Sequence, residues 1–266
     1  MRNSWDSSFG IPILLCVTVG IVALEFLSFI RTVPIKTITQ QDEHTFLTMR
    51  RHLIVERTAL INHIRGLLSE YGIVFGIGQT VLRKALPSVL EDAENELSST
   101  MRMLLQRQYM RLLNIDEELC WYDDQLKQTV KKDEVCQRLM TIPGFGPVVS
   151  QAVKAWMGNG QQFRRGRDAS AALGLVPRQF STGGRQVLQG ISKRGSPYLR
   201  SLVVHGARAV VSRAKKKTDS LSLWINRLVN TRGFNKAAVA LANKLLRIAW
   251  VVIARNEHYQ TPDTKA

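Results

Sequence analysis

Ser181 and Thr182 stand side by side, and Gly183 and Gly184 follow at once. Five cationic side chains surround them in sequence: Arg178, Arg185, Lys193, Arg194 and Arg200. Hydroxyls among clustered cations suit two kinds of chemistry. They can contact a phosphate, or one of them can attack it while positive charge stabilises the non-bridging oxygens in the transition state. The glycine pair lets the backbone approach a ligand or take positive φ. A purely structural use stands beside these, because Ser and Thr in such loops often bond their own backbone. From residue types alone both readings stay open. His205, on the next helix, reads as a packed residue rather than a base.

The elements that must position this loop are legible from their punctuation. Pro143-Gly144-Phe145-Gly146-Pro147 is a turn entering an apolar helix, and helix N-termini of this kind suit phosphates. The turn resembles the hairpin of a helix-hairpin-helix DNA-binding motif, with Gly144 and Gly146 as its backbone contacts. "ASAALGLVPRQF" reads as a short helix ending at Gly174, then an extended segment through Pro177. Ser196 is an N-cap and Pro197 a first helical residue. Leu199, Leu202, Val203 and Val210 form an apolar stripe beyond them. A last helix is expected from about Asn235 to Ala254, with Ala237, Ala238, Leu241, Leu245, Ile248 and Val252 facing the core. Lys215-Lys216-Lys217 reads as a solvated linker run.

Upstream, Leu53, Leu60 and Leu67 recur by seven, as do Leu105, Leu112, Leu119 and Leu126. Gly72, Gly76 and Gly78 break the pattern, and a second helical run is expected after Pro87. The two runs make either an antiparallel coiled-coil hairpin, serving as a dimerisation arm, or the packing face of a plain bundle. The fold class is therefore mainly α: a coiled-coil helical hairpin, then a compact helical domain.

Charge divides the 266-residue chain. Residues 1–140 hold 16 Lys and Arg against 17 Asp and Glu, whereas residues 141–266 hold 21 against 4. The entire +16 excess lies in the second half, which calls for a polyanionic partner, nucleic acid or an anionic membrane. Cys16, Cys120 and Cys136 show no paired spacing, so a reducing cytosol is expected. The His and Cys positions suggest no metal site. Residues 10–30 are apolar but carry Glu25, which leaves a weak membrane anchor, a buried hydrophobic helix or strand, and a segment with no proper partner as alternatives.

Taken together, "VPIKTITQQ", "IPGFGPVVSQAV" and "FRRGRDASAALGLVPRQFSTGGRQVLQGISKRGSPYLRSLVVHGARAVV" resemble the serine transposases of bacterial insertion sequences, of the IS-one-ten type and its IS-eleven-eleven branch. The resemblance implies a DNA recombinase whose nucleophilic serine forms a covalent phosphoserine link. Its partners would be DNA, a guide RNA and further copies of the chain joined through the coiled coil. The family places the nucleophile at the second hydroxyl of the pair, which is Thr182 here. Ser181, a primary alcohol and the readier nucleophile, lies one residue away. The basic set Arg178, Arg185, Lys193, Arg194 and Arg200, with Gly183 and Gly184, would hold DNA.

The family also carries four Mg²⁺-binding acidic residues in an N-terminal RuvC-like, RNase H-type domain, and no positions here match them. The expectation is thus a truncated, catalytically defective transposase, with no metal or other cofactor in this chain. Residues 1–31 would be a non-family segment, 32–135 the helical coiled-coil region, 136–256 the transposase domain and 257–266 a disordered tail. It would be cytoplasmic and nucleoid-associated. A non-catalytic nucleic-acid-binding remnant and a membrane-attached basic protein are the competing readings.

Overall fold

The computed structural model describes residues 35–260. The apolar stretch at 10–30 and the non-family segment expected over 1–31 lie outside the described residues. Among the described residues the chain forms nine helices and one two-stranded hairpin, a mainly α architecture.

Helix α1 (Ile38–Glu70) opens on a reciprocal cap. Thr37 Oγ1 accepts from the Gln40 amide at 3.2 Å, and Gln40 Oε1 accepts from the Thr37 amide at 3.0 Å. Two otherwise unpaired backbone donors are satisfied this way. The apolar repeat of seven then carries α1 to the glycine-rich break at 72–78. Arg65 bridges that break from the helix side, donating to the carbonyls of Gly76 and Gly78 at 2.8 and 2.6 Å.

The second run differs from the expectation. Pro87 does not precede it; it sits inside a short helix, α2 (Gln79–Glu91). The long helix α3 (Ser99–Lys132) starts only where Ser98 caps it, accepting from the Met101 amide at 3.1 Å. Arg102 explains the interruption. Its guanidinium collects the end carbonyl of α2 at Leu90 (2.8 Å) and the Asn95 carbonyl (3.3 Å), so the chain can stop and restart with its backbone acceptors paired.

Helices α1 and α3 run antiparallel. Arg50 pairs with Asp123 at 2.7 Å and Arg57 with Asp116 at 3.2 Å, rungs one heptad apart on each helix. Asp116 also binds Arg83 of α2. The leucine columns lie between them: Leu53, Leu60, Ile64 and Leu68 of α1 pack with Leu105, Leu112 and Leu119 of α3, and with Leu82 and Leu86 of α2.

The second core belongs to the C-terminal half. It is built by α4 (Glu134–Met140), α5 (Pro147–Met157), α6 (Gly166–Ala172), α7 (Pro197–Ala214), α8 (Ser220–Arg232) and α9 (Phe234–Ala254). Leu47, Leu126 and Val130 enter this same core, so α1 and α3 span both cores and tie the arm to the basic half. Helix α9 supplies Ala238, Leu241, Leu245, Ala249 and Val252 to the interior. By length and composition α9 is apolar enough to cross a membrane, a property not evident from its Arg-flanked end; half of its most apolar stretch is buried inside the protein. Ser196 and Asp219 cap α7 and α8 through the Leu199 and Ser222 amides. On α7 the buried stripe is Leu199, Val203, Ala207 and Val211, with Leu202 and Val210 only half-buried, and His205 faces solvent rather than packing. The segment read as a disordered tail is described as far as Gln260, and Tyr259 packs against the core.

The two described cysteines differ in chemistry. Burial, followed by the nearby Asp133 charge, pushes the Cys136 thiol up to about 12, and its Sγ donates to Gln151 Oε1 at 3.2 Å. Cys120 is exposed. Alkylation of the native protein at pH 8, read by peptide mass spectrometry, should label Cys120 and spare Cys136. Equal labelling of both would contradict this packing.

Candidate nucleophile hairpin and its basic base

The opening loop is not a loop. Strands β1 (Pro177–Thr182) and β2 (Arg185–Ile191) pair antiparallel, with Phe180 opposite Val187, Ser181 opposite Gln186 and Thr182 opposite Arg185. Gly183 and Gly184 form the two-residue connection, both with positive φ (+59° and +78°). That is the geometry whose twist matches the strands and which only glycine adopts freely at both positions. The register slips between Pro177↔Ile191 and Gln179↔Leu188. The bulge takes the extra residue on β2, near Gly190.

Strand alternation separates the two hydroxyl positions. Residues 181 and 182 lie on opposite faces of the hairpin. Position 181 shares a face with Gln179, whose Nε2 donates to Ser181 Oγ at 2.9 Å. This leaves the hydroxyl proton of Ser181 available for donation. Among the described residues no histidine or carboxylate bonds to it. Position 182 shares its face with its cross-strand partner, position 185, and with Phe180. Phe180, Val187 and Leu188 are exposed, so both faces are open to a partner.

An isolated two-stranded hairpin is marginal in water, and this one is held at its base. Ser192 donates to the Val176 carbonyl at 2.8 Å and Lys193 to the Gly174 carbonyl at 3.2 Å. Gly174 (φ +72°) lies so close to the 193–194 backbone that a Cβ there would stand 2.3 Å from the Arg194 nitrogen. Gly195 (φ +67°) meets the Ala172 carbonyl, where a Cβ would come to 2.2 Å. Arg200, from the first turn of α7, donates through one Nη to Leu173 O (3.1 Å) and Arg194 O (2.6 Å). The end of α6, the hairpin base and the start of α7 are thereby bolted into one unit.

The structure sorts the sequence-predicted basic residues by role. Arg200 is a half-buried strut. Lys193 and Arg194 are exposed at the hairpin base. They lie about 20 Å along the strand from the hydroxyl pair. Arg178 is exposed on β1, on the face opposite Ser181. Arg185 occupies the position opposite Thr182 at the tip. Gly144 and Gly146 sit in the turn between α4 and α5. Gly146 precedes Pro147 with open space about its Cα, while Gly144 (φ +82°) packs directly on Gly206 of α7.

Gly174, Gly195 and Gly206 were missed as positioning residues. Gly195, between two cations and an N-cap, carried a signal for a turn; Gly206, inside a helix, carried none. The hairpin itself was signalled by a Gly-Gly pair between two runs rich in β-formers.

Among the described residues the Mg²⁺ implied by the resemblance finds no fitting ligand set. Among the described residues no three His, Cys, Asp or Glu side chains converge. The most buried of the paired carboxylates are engaged by cations instead: Asp116 by Arg57 and Arg83, Glu43 and Asp133 by Lys154.

Comparison with known proteins converges on the same region. A family model described as Transposase IS116/IS110/IS902 family matches residues 136–222, which contain most of α4, the turn, the hairpin and α7. The transposase for insertion sequence element IS1111A of Coxiella burnetii is 46% identical over 225 residues, covering 85% of this chain and 62% of that protein. A probable family 20 transposase of Pseudomonas aeruginosa is 41% identical over 231 residues (86% and 68%), and the transposase for IS1328 of Yersinia enterocolitica is 38% identical over 217 residues (82% and 64%). The chain spans from 62% to 68% of the length of these relatives. On the strength of the similarity to these transposases, extending through both the helical arm and the basic half, the chain belongs to the IS110 family of insertion-sequence transposases.

Proposed function

We propose that this chain binds DNA in transposition of its insertion sequence and that a hydroxyl of the Ser181–Thr182 pair attacks a phosphodiester. The observation that supports this most is the placement of the pair at the tip of a projecting hairpin, clamped at its base, with the Arg185 position opposite Thr182. The hydroxyl oxygen forms a bond to phosphorus. The bond from phosphorus to one bridging deoxyribose oxygen breaks, and the hydroxyl proton leaves to solvent or to that oxygen. The product is a phosphoserine or phosphothreonine ester, which conserves the bond energy for rejoining. A cation near the non-bridging oxygens stabilises the charge that develops there.

Lys193 and Arg194 extend the contact along the backbone away from the reacting phosphate. The same reading carries a structured RNA of the element as a second nucleic acid. A second copy would dock through the α1–α3 arm, which exposes Met103, Leu104, Met110 and Trp121. The working compartment would be the nucleoid.

Trapping of a covalent protein–DNA adduct on DNA carrying the element's end tests the chemistry. Either Ser181→Ala or Thr182→Ala should lower adduct formation on the order of 10³-fold, and the variant that does so identifies the nucleophile. Undiminished adduct in both variants and in the double variant would exclude the pair. DNA binding without any adduct in the unmodified chain would favour the non-catalytic reading.

A further inference from the structure

Away from the hairpin, α6, α8 and α9 enclose a cleft of about 910 Å³. Its walls carry four cations, Arg165, Arg167, Lys244 and Arg247, and two indoles, Trp224 and Trp250; among the described residues no carboxylate lines it. None of the four cations forms an ion pair among the described residues. This contrasts with the arm, where arginines find carboxylates.

The cleft is built rather than incidental. Trp250 is fixed by its Nε1, which donates to the Gly160 carbonyl at 2.9 Å. Gly166 lets α6 close on α9: a Cβ there would stand 3.0 Å from Arg247 O and 3.3 Å from the Trp250 ring. Asn243, in the same wall, donates its side-chain Nδ2 to Leu175 O (3.1 Å), and its backbone carbonyl accepts from Ser170 Oγ (3.3 Å). Those polar groups are satisfied internally. The cations are the groups left to act outward. Lys244 Nζ sits over the half-buried Trp224 ring, 4.7 Å from its centroid, so an indole and a positive charge are already paired in this wall.

Four like charges around one concavity repel each other, and the arrangement is stabilised by a polyanion. A concave site favours one kind of polyanion. A duplex keeps its bases stacked on each other and presents phosphates to convex elements that enter its grooves. An unpaired strand offers phosphates and free base faces together, the combination that cations interleaved with aromatics recognise. We infer that this cleft binds an unpaired DNA strand, with phosphates on Arg165, Arg167 and Arg247 and a base stacked on Trp224. The inference rests on the DNA-binding reading above but uses none of the hairpin residues.

Binding of the full chain to a fluorescein-labelled oligodeoxythymidylate, to a duplex and to an oligouridylate tests it. Arg167→Ala with Arg247→Ala should weaken oligodeoxythymidylate binding about tenfold or more and reduce its salt slope by about 1.4. Trp224→Leu should weaken it about tenfold, and Trp224→Phe should restore most of the loss. Duplex affinity should move by less than about threefold, because the hairpin and its base remain. Thermal melting of each variant establishes that it folds. The cleft inference is overturned if folded variants bind oligodeoxythymidylate like the parent, if duplex binding falls in parallel, or if only oligouridylate binding responds. In those cases retained duplex binding leaves the DNA reading standing. A parent chain that binds neither DNA form overturns both.

Discussion

Replacing Gly206 by alanine is expected to destabilise the protein by about 3 kcal/mol, although the site is in the middle of a helix. Helix propensity predicts the opposite sign, since alanine in a helix interior is favoured over glycine by about 1 kcal/mol. Packing decides the outcome. A Cβ at position 206 would stand 2.2 Å from the Gly144 carbonyl oxygen, and backbone cannot move aside as a flexible side chain would. The turn entering α5 would have to lift off α7. Gly66 is the matched control, because it lies inside α1 with nothing near the place a Cβ would occupy. Gly66→Ala should be neutral or stabilise by up to about 1 kcal/mol. Urea unfolding of both variants reads the difference, and a Gly206→Ala protein at least as stable as its parent would rule out the glycine-on-glycine contact.

The second large effect lies where the arm meets the basic half. Lys154 of α5 donates to Glu43 of α1 at 2.6 Å and to Asp133, the N-cap of α4. All three side chains are mostly buried, and Glu43 Oε2 has no hydrogen-bond partner among the described residues. Lys154→Met should therefore cost about 3 kcal/mol, because two carboxylates are left without their cation in a poorly solvated site. Adding Glu43→Gln and Asp133→Asn should recover much of that, with asparagine keeping the cap. Breaking the exposed Arg111–Glu56 pair should cost under about 1 kcal/mol.

The pH dependence has a definite sign. Burial alone would raise the Asp133 carboxyl, but the hydrogen bond from Lys154 overrides it and holds the group below its ordinary 3.8. Its stabilisation is complete above that value and is lost as the pH falls through the lower folded one. Burial alone would likewise lower Lys154; its hydrogen bonds to Asp133 and Glu43 hold it above 10.5, so its contribution persists below 10.5 and fades as the pH rises through the higher folded value. Stability measured against pH should fall below about pH 4, and that limb should flatten in Lys154→Met. An unchanged acid limb would mean the three groups do not act together.

Much of the architecture was legible because it rests on local rules. Heptad-spaced leucines, capping serines, Pro197 at a helix start and the apolar columns of α9 are patterns that depend on near neighbours in sequence. The block from Pro143 to Val211 likewise located the family. The break between α2 and α3 was not legible, since it depends on one guanidinium, that of Arg102, reaching back to α2 carbonyls.

What the sequence by itself determined is the mainly α class, the strongly basic half, the hydroxyl–glycine segment and the family those residues share. Only the tertiary structure decided that the segment is a hairpin with positions 181 and 182 on opposite faces, and that Arg200 is a strut while Lys193 and Arg194 lie a strand's length from the tip. It also decided that Gly144 meets Gly206 and that four unpaired cations from α6 and α9 share one cleft with Trp224 and Trp250. The physical reason is common to these cases: charge and hydroxyl chemistry are properties of a residue, but distance and facing depend on which backbones can touch, and here glycines far apart in sequence set those approaches.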